Sequence, residues 1–281
     1  MNAPLTPDIA DIERVEDAKG VEDTERFETT SATGPQVRAA SGPGLARLSV
    51  VELRKQVDTG VGMVLVVVAA LLAGAFGGGA LLLGSADSYG EVARMAAIPG
   101  ATLAPVLAML LVTAERSHRT ALSTFTLVPR RGRVVAAKAV ASMAIGAMVV
   151  LLSLVAALVI TPVGAAVTGE SIGWQLDVRG FAFFAVGVIL STLSGWALAL
   201  AIGNAPAAIV VLLVWPMLSS MILGANQAWS TVVTWLDITA VARLADGASV
   251  DLVAKATVGI LVWVVVPAVV GIRRVLIEEV R

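Results

Sequence analysis

The sequence has no cysteine and a single histidine. Without cysteine there are no disulfides, no thiol nucleophile and no thiolate ligand for a metal. His118 has no second imidazole to join it, so a multi-histidine metal centre is excluded and it reads as an ordinary polar loop residue. Charge is scarce too: Asp, Glu, Lys and Arg make up 15% of the chain, against roughly 25% in a soluble globular protein. No G-x-x-x-x-G-K-S/T run, HExxH or GxSxG motif occurs, and no dinucleotide fingerprint follows a strand. The chain therefore lacks a nucleotide cradle of the P-loop kind. It offers no catalytic residue, no cofactor-binding residue and no metal ligand set, and it reads as a non-enzyme.

What fills the chain instead is apolar. Hydrophobic residues make up 57%, and the mean hydropathy is +0.88. Six long apolar segments stand near 61–83, 96–113, 139–160, 181–202, 205–223 and 252–272. Each is close to the roughly 20 residues that cross a hydrocarbon core about 30 Å thick. In lipid such segments must be helical, because only a helix satisfies its own backbone. Pro99 and Pro105 break the pattern of the second segment, and Pro216 and Pro267 predict kinks in the fifth and sixth. The expected fold is an all-α integral membrane protein with six transmembrane helices.

Two segments precede the first span. Residues 1–44 combine many acids with scattered Pro and Gly and almost no aromatics, the composition of a disordered tail. Residues 45–281 form the six-span domain. At its start, Leu45, Leu48, Val51 and Val57 share one helical face, with Arg47, Arg54 and Lys55 off it. This predicts an amphipathic helix in the membrane interface, touching lipid.

Orientation follows from the bases. With the N-terminus inside, 16 of the 20 Lys and Arg residues fall on the inner side and 4 on the outer. By the positive-inside rule both termini, the acidic tail and the basic connection Glu115–Lys138 are cytosolic. Within that connection Ala121, Leu122, Phe125 and Val128 form one helical stripe opposite Arg116, Arg119, Ser123 and Thr126, before Pro129. The spans hold almost no ionisable side chain, whereas ion-coupled transporters usually need such groups as relays. A membrane protein with no engine and a charged cytosolic loop points to energy arriving from a second polypeptide.

Glu115, Thr120, Thr126, Pro129, Arg131 and Lys138, in that order, resemble the E…T…T…P-x-R…K pattern between the second and third spans of ABC-2 type permeases. VELRKQVDTG, Val51 to Gly60, is similar to the E-x-x-K…D-T run that opens many members, and WLDITAVARL resembles their outer helical stretch. Asp237 departs from the pattern, standing where a proline often follows the aromatic–leucine pair. The resemblance covers residue 45 to the C-terminus. It implies the membrane subunit of an ABC exporter in a bacterial plasma membrane, paired with a second permease copy or homologue and with separate ATP-binding subunits. ATP would then be a ligand of the partner, and no cofactor would sit on this chain. Carried over, the residues meeting the ATPase are Glu52, Arg54, Lys55, Glu115, Arg116, Arg119, Thr120 and Arg131.

Other residues attract narrower expectations. Glu115 and Lys138 stand at facing helix ends and can pair as a strut between the second and third spans. Gly74, Gly77, Gly78 and Gly79 place small residues where another helix can approach. Asp237 and Arg243 can line a substrate exit or meet lipid headgroups. The substrate expected is hydrophobic or amphipathic, with membrane lipids as surroundings and no nucleic acid as partner. Two rival classes remain: an ion-gradient-driven secondary transporter or channel, and a non-transporting scaffold or sensor whose acidic tail binds a regulator.

Overall fold

The computed structural model describes residues 44–58, 60–117, 131–225 and 227–277, and among these it is helical throughout, with no strand. The acidic tail, residues 1–43, and the stripe Ala121–Val128 lie outside the described residues, as does His118. In chain order the helices are α1 (Leu45–Asp58), α2 (Gly60–Leu82), α3 (Tyr89–Ser117), α4 (Arg131–Thr168), α5 (Val178–Ile202), α6 (Ala205–Ala225), α7 (Gln227–Trp235), α8 (Ala240–Arg243), α9 (Val250–Ile260) and α10 (Val266–Ile277). A π turn, Leu261–Val265, joins the last two.

Five helices are long and apolar enough to cross a membrane: α2, α3, α4, α5 and the run from α9 through α10. α6 is equally apolar, but its described stretch, Ala205–Met221, is shorter. Large apolar side chains point outward along α2, α4 and α6, among them Val64, Leu71, Leu151, Val159, Leu213 and Met217. In water such a surface would be costly, and against lipid it is neutral.

The apolar runs understate two helices. α3 begins at Tyr89 and passes Pro99 and Pro105 without a break. Each proline removes one backbone N–H, a loss membrane helices tolerate when neighbours pack against the freed groups. α4 has 38 residues, a length of about 57 Å at 1.5 Å per residue. That exceeds a hydrocarbon core of roughly 30 Å, so α4 must tilt or project beyond it.

α3 and α5 form the centre, and small residues let them meet. A Cβ on Gly195 of α5 would stand 2.8 Å from the Pro105 Cα of α3, so the two backbones touch there. α4 presents a buried face of Lys138, Ser142, Gly146, Ser153, Ala157 and Thr161. These are spaced by four or seven residues, a single helical stripe. A Cβ on Gly146 would lie 3.1 Å from the Ile189 Cα, which brings α4 against α5 in the same way. Gly77 is occupied within the chain, where an added Cβ would meet Ile160 at 3.0 Å and Ala96 at 3.3 Å. Gly74, Gly78 and Gly79 have nothing within 4 Å.

The buried residues fall into separate clusters rather than one core. Met109, Val112, Val135, Trp196 and Leu200 gather at the end rich in Arg and Lys, the basic end. Leu81, Val92, Ala157 and Phe181 gather at the opposite end. There the α2–α3 and α4–α5 connections are tied together. Tyr89 N–H donates to the Gly173 carbonyl at 2.8 Å and Gly173 N–H to the Asp87 carbonyl at 3.0 Å. The Tyr89 ring stacks on Trp174, and its hydroxyl donates to the Leu154 carbonyl at 2.9 Å.

Gly195→Ala should separate α3 from α5 and cost about 1–3 kcal/mol, the usual toll of overpacking. Gly74→Ala should be neutral or slightly stabilising, since it fills open space and favours helix. Thermal unfolding of the two variants in detergent checks the contrast.

Candidate functional site

The charges that the sequence scatters near the basic end converge on α1. Ser49 and Glu52 lie one helical turn apart and face α4 together. Glu52 accepts from the Lys138 ammonium at 2.7 Å, with both side chains more than nine-tenths buried. The same ammonium donates to the Leu111 carbonyl of α3 at 2.9 Å. Ser49 Oγ donates to the Ala137 carbonyl at 3.3 Å, beside the pair. On α4, Ser142 Oγ donates to the Lys138 carbonyl at 2.8 Å, which settles the next turn of that helix. One cation thus holds α1, α3 and α4 at a single point.

On α1 the hydroxyl of Ser49 and the carboxylate of Glu52 face inward, and the outward side carries both apolar and basic residues. Val51, expected on the lipid-facing stripe, is exposed beside Val50, and Arg47 and Arg54 share that exposed side. A carboxylate held by a buried ammonium determines the rotation of the helix, because burying either charge without the other costs far more than exposing two valines.

Four of the other expected coupling residues belong to the same three helices. Lys55 is on α1, Glu115 and Arg116 belong to the last turn of α3, and Arg131 opens α4. Arg119 and Thr120 lie outside the described residues, and the expected Glu115–Lys138 strut falls outside the described side chains. What the structure does place on Lys138 is Glu52, a residue whose role the sequence pattern gave only as a surface contact. The spacing of Ser49 and Glu52, polar positions one turn apart among Leu48, Val50 and Val51, was the available signal.

At the opposite end Asp237 and Arg243 meet each other at 2.7 Å. Asp237 also accepts from the Thr239 N–H at 2.8 Å and its hydroxyl at 2.6 Å. The carboxylate closes the turn that enters α8, the work that a rigid proline performs elsewhere. Lys255 pairs with Asp251 at 2.6 Å one turn along α9. At the basic end Arg274 donates to the Ala201 and Ile202 carbonyls at 3.2 Å each, satisfying the last turn of α5.

The chain matches no protein-family model and no curated protein sequence.

Removing one member of the buried pair leaves the other charge in a low-dielectric site. Glu52→Leu or Lys138→Met alone should therefore destabilise by about 3–5 kcal/mol, while the double variant should regain most of that loss. Melting temperatures of the two single variants and the double variant in detergent measure this. Additive losses would show that the two side chains act independently.

Proposed function

We propose that the chain is the membrane-embedded permease subunit of an ATP-driven exporter, energised by ATP hydrolysis on a separate polypeptide. The observation that carries this reading is the junction at Lys138, where a helix outside the spans is bonded to the inner ends of two spans. A push on α1 moves α3 and α4 together, because one ammonium ties all three. The basic connection between α3 and α4 adjoins the same point in sequence, and it is the surface offered to the ATPase. Six spans, counting α6, with both termini and this junction in the cytosol, fit the distribution of Lys and Arg.

In this reading Arg54 and Lys55 of α1 and Glu115, Arg116, Arg119, Thr120 and Arg131 of the connection meet the partner. Glu52 acts behind them as a positioning residue through Lys138. The translocation path lies between this chain and a second permease subunit. The backbone contact of α3 and α5 at Pro105 and Gly195 supports this by leaving the centre of one chain closed. Apolar walls suit a hydrophobic or amphipathic substrate.

Tagged chain drawn from its native membrane in mild detergent should bring a P-loop ATPase with it, and replacing Arg116 and Arg119 with Ala should lose that partner. Recovery of no nucleotide-binding protein under several gentle conditions, with transport that follows an ion gradient in vesicles, would replace the exporter by a secondary transporter.

A further inference from the structure

The last apolar helix is not continuous. At the π turn the Val266 N–H donates to the Leu261 carbonyl, five residues back instead of four. Pro267 follows and has no N–H, so the Trp263 carbonyl lacks the donor that an α-helix would supply. Two interruptions of the ladder thus adjoin. Proline and π turns are the usual places where a helix kinks, and π turns are frequent at functional sites.

The two sides of the turn are anchored differently. Toward the basic end, α10 is fixed to α5: a Cβ on Gly271 would stand 2.7 Å from the Leu200 carbonyl carbon, and Arg274 caps the last turn of α5. On the far side, α9 belongs to a small cluster with α8, built on Ala240, Val241 and Ala256. Gly259 lies against the Asp237 backbone, where a Cβ would meet the carbonyl oxygen at 2.8 Å. The turn from Leu236 to Thr239, α8 and α9 therefore form one cap. Its seat on α5 is modest, with Phe183 and Leu190 as the large side chains. At the joint, Trp263 Nε1 donates to the Leu236 carbonyl at 2.7 Å, and its ring meets Trp215 at 5.2 Å between centroids.

We infer that Leu261–Val265 is a hinge and Trp263 its latch. The cap from Leu236 to Ile260 swings away from Phe183 and Leu190 while α10 stays bound to α5. The indole bond to Leu236 spans the joint, so it holds the closed position and breaks on opening. A π turn supplies the extra residue that turns the indole toward Leu236. This inference is independent of the exporter reading, because it concerns the motion of the chain alone.

The absence of native cysteine makes the test direct. Ala240→Cys reports on the cap and Ala208→Cys on the basic-end cluster, both positions being fully buried. Full-length chain in permeabilised membranes is treated with a water-soluble maleimide, with and without Trp263→Phe, which keeps the ring and removes the donor. Labelling at Ala240→Cys should rise about fivefold in Trp263→Phe, the factor one net hydrogen bond corresponds to. Labelling at Ala208→Cys should not change. An unchanged rate at Ala240→Cys, or an equal rise at both positions, overturns the hinge. Hydrogen exchange of the unaltered chain gives a second reading: residues 236–260 should exchange faster, as a unit, than 266–277, and uniform protection from 250 to 277 would also overturn it.

Discussion

Lipid tails are as apolar as leucine, so helices in a bilayer gain nothing by exchanging lipid for one another unless their surfaces fit closely or bond. The contact of α3 with α5 at Pro105 and Gly195 meets that requirement at the centre of the molecule. It works because each partner lacks something. Pro105 has given up its N–H, and Gly195 has no side chain to hold the helices apart. α4 joins by the same means through Gly146, and α10 through Gly271. Large residues are left for the lipid-facing side, where shape matters less.

Against this background of neutral contacts, one buried charge pair stands out. Glu52 and Lys138 sit in a chain that otherwise keeps charge at helix ends and loops. Such a pair contributes little net stability, since desolvation offsets most of the attraction. What it does supply is geometry: the ammonium must find both the carboxylate and the Leu111 carbonyl, so α1 has one rotation and one height on α4. An amphipathic helix held by apolar contact alone could slide. The pair bonds this helix directly to the bundle.

The apolar pattern made the helical membrane fold legible, and with it the position of every long helix to within a few residues at most ends. The exceptions have physical causes. α3 begins at Tyr89 because Glu91 and Arg94 interrupt the hydropathy while their helix is held by backbone bonds from the α4–α5 connection to Tyr89 and Gly90. α4 outruns its apolar core at both ends, and at the second it passes Pro162 and Gly164 before stopping at Thr168. Pro267 was expected to kink the last span, and the interruption appears as a π turn just before it. What fixes α1 to the bundle was not legible from that helix alone. Its stripe of Leu and Val is a statement about one helix, whereas Glu52 chose its side by a partner 86 residues away in sequence. Likewise Asp237 looked available for a ligand, and its carboxylate is spent on Thr239 and Arg243.

The two ends of the molecule are held by different kinds of contact. At the basic end, Lys138 joins α1 to α3 and α4 and Arg274 joins α5 to α10, while at the centre the Pro105 contact joins α3 to α5. Each link is either a charged hydrogen bond or a backbone contact, and neither yields continuously. Displacement of α1 by a partner would therefore pass through these helices largely as rigid movement. The first compliant point on that route is Leu261–Val265, where α10 gives way to the wide turn. Beyond it, the cap rests on Phe183 and Leu190, takes the Trp263 indole bond at Leu236, and meets α7 through Lys255 over the Trp235 ring. The buried charge pair and the wide turn thus belong to one connected run of helices, from α1 through α3 and α5 to α10.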